Sequence, residues 1–74
     1  MKVNKTQGVL FIFDKLLNNG FVTRNMILQE LEISNLTFYR YIQEIKAYLY
    51  NFVSNKELDF DKASQRYILK KVEF

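Results

Sequence analysis

Apolar and polar positions follow two rhythms along this chain, and the rhythm changes near residue 52. Before that point apolar residues recur every three to four positions, the spacing of one face of a helix. After it they alternate, the spacing of one face of a strand. From Lys5 to Asn18, Val9, Phe13, Leu16 and Leu17 form the expected buried face, with Leu10 and Ile12 flanking it and Phe11 on the opposite side. Asn18-Asn19-Gly20 ends this helix, because Asn and Gly tolerate the left-handed backbone that follows helices. Phe21-Val22 is a short extended entry to the next element.

Thr23 has the character of a helix N-cap, whose hydroxyl accepts a bond from an orphan amide of the following turn. It predicts a second helix from about Arg24 to Leu31, with Ile27, Leu28 and Leu31 turned inward and Ile33 as the apolar residue after the turn. Ser34 is a second N-cap. It opens the longest helix, to Asn51 or Phe52, with a core stripe of Phe38, Ile42, Ile45, Leu49 and Phe52. A connection this short makes the second and third helices cross steeply, as in a helix-turn-helix. Leu58, Phe60, Tyr67 and Leu69 then form one face of a two-stranded hairpin, joined by the polar stretch from Asp61 to Gln65. The fold class is mainly α with a small β part: three helices, then a hairpin.

Composition removes most chemistry from consideration. The chain has no Cys and no His, so disulfides, thiolate sites, imidazole bases and the commonest metal ligands are all missing. Glu57, Asp59 and Asp61 alternate as on a strand and do not follow a calcium-loop spacing. No enzymatic role and no cofactor, metal or small-molecule ligand are expected. Seven Phe and five Tyr supply a core to a chain of 74 residues, which reads as a single domain over 1–74. The longest apolar run, Val9–Phe13, is far short of the ~20 residues of a membrane span. With no signal-peptide pattern either, a cytoplasmic location and no membrane partner are expected. The net charge is +3, with the positive residues gathered in the third helix (Arg40, Lys46) and the last strand region (Lys62, Arg66, Lys70, Lys71). Nucleic acid is the usual partner of such a distribution, although an excess this small also serves plain solubility.

The run Ser34-Asn35-Leu36-Thr37-Phe38-Tyr39-Arg40 sits behind Thr23, Ile27, Leu31 and Ile33, and Tyr67-Ile68-Leu69 closes the hairpin. Together these resemble the winged helix-turn-helix of DeoR-type regulators and the related N-terminal domains of WYL-containing and biotin-repressor-like proteins. In that family a Ser-x-x-Thr-x-x-Arg stretch opens the third helix and a Tyr-x-Leu strand ends the wing. The resemblance covers nearly the whole chain. It implies a winged helix-turn-helix that binds duplex DNA as a transcriptional regulator or its DNA-binding module. The chain departs from the family at Asn35 and Leu36, where basic residues are common, and at Tyr41, where Asp is common. It also departs at Leu28, where Ala often stands, and at Glu32, where Gly often occupies a left-handed turn.

With the core stripe inward, the exposed face of the third helix carries Asn35, Leu36, Tyr39, Arg40 and Gln43. Arg40 matches the two acceptors of guanine or a phosphate, Asn35 and Gln43 match adenine, and Leu36 a thymine methyl. Tyr39 can place its hydroxyl on a phosphate, and the helix N-termini at Thr23 and Ser34 suit phosphate oxygens. Thr37 belongs to the same opening stretch. Lys62 and Arg66 lie at or beside the hairpin tip, where they suit the DNA backbone or minor groove. Each has a plainer role: Thr23 and Ser34 as caps, Arg40 as partner of Glu44, Lys62 and Arg66 as turn solubilisers. A single module covers one half-site, so a homodimer is expected, with Phe11 and the surroundings of Tyr48 and Tyr50 as its surface. The alternative is a protein-interaction adaptor or anti-repressor using Phe11, Leu36, Tyr39, Tyr41 and Tyr50.

Overall fold

A computed structural model describes residues 3–72. Three helices pack against a small three-stranded antiparallel sheet, in the order α1 (Lys5–Asn19), β1 (Phe21–Val22), α2 (Arg24–Leu31), α3 (Asn35–Phe52), β2 (Lys56–Asp61) and β3 (Arg66–Lys71). The hairpin is therefore not alone. β1 pairs with β3 through Phe21↔Ile68 and Val22↔Tyr67, giving the strand order β1-β3-β2 and correcting the expected two-stranded sheet. Pairing covers part of the edge of β3 that a hairpin by itself would leave open, and it brings the side chain of Val22 fully into the core.

Each helix begins at a side-chain cap. Asn4 accepts from the amide of Gln7 at 2.8 Å, Thr23 from Met26 at 3.2 Å and Ser34 from Thr37 at 3.2 Å. The Asn4 cap escaped the sequence reading, although Asn4 and Gln7 stand at the spacing of a capping box. α1 ends at Gly20, whose backbone is left-handed (φ 84) and whose amide returns to the Leu16 carbonyl. α2 ends at Glu32, also left-handed (φ 53), as the turn demanded. Three residues then suffice to redirect the chain into α3.

The core is Ile12 and Leu16 of α1, Val22, Ile27 and Leu31 of α2, Phe38, Tyr41, Ile42, Ile45 and Leu49 of α3, and Leu58 and Tyr67 of the hairpin. Phe38 lies at its centre, fully buried, with the Tyr67 ring edge-on at 5.5 Å joining helices to sheet. Within the hairpin Leu58 faces Leu69 and Phe60 faces Tyr67, so the alternating apolar face is the one expected, although Phe60 stays 37% exposed near its end.

Several inward or outward assignments change. α1 buries Gly8, Ile12 and Leu16, while Val9 and Phe13 are half-buried and Leu10 and Leu17 are mostly exposed. The helix is rotated because Gly8, which has no side chain, lets α3 come close: the Tyr41 ring lies directly against it. Tyr41 is thereby buried, where an exposed aromatic was expected. Phe11 is half-buried against the core, with the Lys15 ammonium 5.4 Å above its ring, where a fully exposed side chain was expected. Phe52 is 76% exposed, because the packed part of α3 stops at Leu49 and the helix runs one turn further. Leu28 packs at the margin of the core, half-buried.

Candidate functional site

The placement of Phe38, Ile42 and Ile45 in the core fixes what α3 shows to solvent. Asn35, Leu36, Tyr39, Arg40 and Gln43 are all exposed, with Leu36 at 62% and Tyr39 at 43%. Leu36, Thr37, Tyr39, Arg40 and Gln43 border one shallow depression of ≈ 630 Å³. Asn35 stands just before them, as the first residue of the helix. Arg40 does not pair with Glu44. That carboxylate is taken by Lys5 of α1 at 2.9 Å, and among the described residues no carboxylate lies within ion-pair distance of the Arg40 guanidinium. Ser34 and Thr37 are tied to each other: the Ser34 hydroxyl accepts from the Thr37 amide and donates to the Thr37 hydroxyl oxygen at 3.0 Å. Thr37 is in consequence a structural part of the opening turn, half-buried beneath the exposed face.

A second cleft, ≈ 310 Å³, lies where α2 begins. It is lined by Thr23, Arg24, Asn25, Tyr39, Phe60, Gln65 and Tyr67. Tyr39 borders both depressions and links the α3 face to the cap of α2, while Gln65 carries the hairpin turn to the same cleft. Burial raises the Tyr67 phenol above its ordinary pKa, and the neighbouring Tyr39 hydroxyl raises it further, so it keeps its proton well into alkaline conditions. Arg24 and Asn25 escaped the sequence reading. Their signal was position alone, since polar residues directly after an N-cap lie beside free backbone amides.

The two hairpin residues differ in kind. Lys62 is exposed in the turn, and its carbonyl accepts from the Gln65 side chain at 2.9 Å. Asp61 shapes that turn by accepting from the Ala63 amide and the Ser64 hydroxyl, and the Ser64 bond, followed by the Ala63 bond, holds its carboxyl below the ordinary aspartate range. Arg66 is not free at the tip. It opens β3 and stacks its guanidinium on the Phe21 ring at 4.1 Å, bridging β3 to β1 within the sheet. Along β3, Lys70 is neutralised by Asp59 at 3.3 Å.

The structure thus gathers Leu36, Thr37, Tyr39, Arg40 and Gln43 on one surface and brings Thr23 to its border through Tyr39. Lys62 and Arg66 line neither depression, and of the hairpin turn only Gln65 reaches the cleft. The aromatic set that a protein partner was expected to use is dispersed: Tyr41 is in the core, Phe11 is half-covered, and Tyr50 lies near the far end of α3, leaving Leu36 and Tyr39 beside Arg40. Among the described residues no cluster of acidic side chains is placed to hold a metal ion, and no helix is long and apolar enough to cross a membrane. No family model, curated protein or solved structure matches the chain.

Proposed function

We propose that the chain is a winged helix-turn-helix module that binds duplex DNA, with the first turns of α3 in the major groove and the β2–β3 hairpin as a wing along the backbone. The observation that carries this reading is the exposed opening of α3, where Arg40, Asn35 and Gln43 stand clear of the core and Glu44 is occupied elsewhere. A recognition helix offers base edges to the N-terminal turns of its exposed face. Arg and amide side chains are the ones whose donors and acceptors match the major-groove edges of guanine and adenine. Thr23, Arg24 and Tyr39 around the α2 cleft suit phosphate oxygens, and Lys62 at the turn suits the backbone beyond. The module would act in transcriptional regulation, alone or as the DNA-binding part of a regulator.

The test is binding to random-sequence duplex across a salt series. Counterion release makes the logarithm of the binding constant fall linearly with log salt, by about 0.9 per phosphate neutralised. The expected result is a slope of several units. A wild-type protein that shows no salt-dependent duplex binding refutes the reading, and the adaptor or anti-repressor role then takes its place.

A further inference from the structure

The rotation of α1 leaves an apolar surface that neither the core nor the α3 face explains. Leu10 and Leu17 of α1 are 59% and 52% exposed, and Tyr48 and Phe52 of α3 are 48% and 76% exposed. They form one strip along the seam of the two helices. The Phe13 ring meets Tyr48 edge-on at 5.9 Å, and Tyr48 meets Phe52 at 5.4 Å. Leu17 lies one helical turn beyond Phe13 on the same side. Beside Leu10, Phe13 and Tyr48 runs a groove of ≈ 400 Å³ with Val9 and Ile45 in its floor.

We infer that this strip is the face by which two copies of the chain associate about a two-fold axis. Three observations favour a second copy over another occupant. The first is area. An aromatic side chain carries roughly 150–250 Å², so the four most exposed residues present on the order of 400–500 Å² of surface. That is about half or more of the ~800 Å² each partner contributes to a standard interface, and it matches the ~300–600 Å² of the largest apolar patch on a typical monomer, which is often functional. The second is charge. None of the strip's side chains is charged, and at its end Lys5 and Glu44 neutralise each other. Within the strip itself there is therefore no charge to select an acidic or basic partner segment. The third is position, and it rests on the DNA reading above. Tyr48 and Phe52 stand about 12–18 Å along α3 from Arg40, on a different side of the helix. A two-fold through the strip therefore leaves the Arg40 face of each copy uncovered, as binding to two half-sites requires.

The experiment is sedimentation equilibrium of the full chain across micromolar concentrations, with duplex binding measured on the same samples. Wild type is expected to be a dimer in exchange with monomer. Leu17→Lys and Phe52→Lys each place a cation on the strip in the last turn of a helix, where the monomer tolerates it. Each is expected to raise the dimer dissociation constant at least ~30-fold, the effect of losing a central anchor, with helical circular dichroism unchanged. Tyr50→Ser, an exposed change off the strip, is expected to leave association as it is. If the lysine variants lose helical signal, Leu10→Gln supplies the same test at a third strip position. A dimer that binds no duplex supports this surface while refuting the DNA reading. A wild type that stays monomeric yet binds duplex overturns the surface alone and assigns the strip to a different protein. A dimer that survives Leu17→Lys and Phe52→Lys also overturns it.

Discussion

Between α1 and α3 a single residue decides how closely two helices approach. A Cβ at position 8 would collide with the Tyr41 ring, and that ring is in the core. An alanine in a helix interior ordinarily gains ~1 kcal/mol over glycine, whereas forcing an extra methyl into a packed seam costs about 1–3 kcal/mol. Gly8→Ala is therefore expected to destabilise the fold by ~1 kcal/mol, against the propensity scale, as measured by urea unfolding. The same change in a Tyr41→Leu background is expected to recover most of the loss. A Gly8→Ala protein more stable than wild type would show that the seam opens at little cost. The pair was illegible beforehand because periodicity counts apolar side chains, and glycine contributes none. Tyr41, at the edge of the α3 stripe, became a core residue only through a contact with an absent side chain. Glu32 shows the opposite case: the resemblance to the winged helix-turn-helix pattern implied a left-handed residue between α2 and α3, and the φ of 53 at Glu32 is left-handed.

Elements were legible where punctuation and period agreed. Thr23 and Ser34 announced α2 and α3 because each is a capping residue set before an apolar repeat, and both hydroxyls accept the amide three residues on. Leu58, Tyr67 and Leu69 announced the hairpin by alternation, and on that face Leu58 and Tyr67 are buried and Leu69 half-buried. The failures have equally physical causes. Five consecutive apolar residues, Val9–Phe13, carry no phase, so the buried face of α1 depended on what packed against it. Two residues cannot show an alternation, so Phe21-Val22 read only as an extended entry, and its place in the sheet came from the edge that β3 offers it. Phe52 kept the period of α3 beyond the point where any partner remained to cover it. At this scale the opening of α3 supplies a direct test. Ser34 closes the first turn twice, through the Thr37 amide and hydroxyl. Ser34→Ala is expected to cost ~1 kcal/mol, and Ser34→Asp to retain most of the stability because aspartate caps and also suits the helix dipole. The check is a fall in the denaturation midpoint with an unchanged slope. An unaltered midpoint for Ser34→Ala would mean that the turn is held by packing at Phe38 and not by its cap.

Over the whole molecule, the charge available to a polyanion is smaller than the sequence alone implied, and it is arranged unevenly. Lys5 is engaged by Glu44, Lys70 by Asp59, and Arg66 lies on Phe21, while Arg24, Arg40, Lys46, Lys56, Lys62 and Lys71 are exposed and in neither ion pair, spread over α2, α3 and the hairpin. Substitutions at these positions should then fail in three distinguishable ways. Arg40→Ala is expected to lose roughly 1–3 kcal/mol on a preferred duplex and to flatten discrimination among sequences, because a base contact carries sequence information. Lys62→Ala is expected to weaken all duplexes about equally and to lower the salt slope by about 0.9, the signature of one phosphate contact. Arg66→Ala is expected to behave differently from both. Its guanidinium holds β3 against Phe21, so its loss should lower the stability of the free protein by ~0.5–1 kcal/mol as well as any affinity for the backbone. The measurements are binding to selected and scrambled duplexes across a salt series, with thermal unfolding of each variant alone. If Arg40→Ala weakens every sequence equally, Arg40 is a phosphate clamp and discrimination passes to Asn35, Leu36, Tyr39 or Gln43. If Lys62→Ala leaves the salt slope unchanged, the hairpin turn does not reach the backbone, and the contacts to DNA are confined to α3 and the cleft at the start of α2.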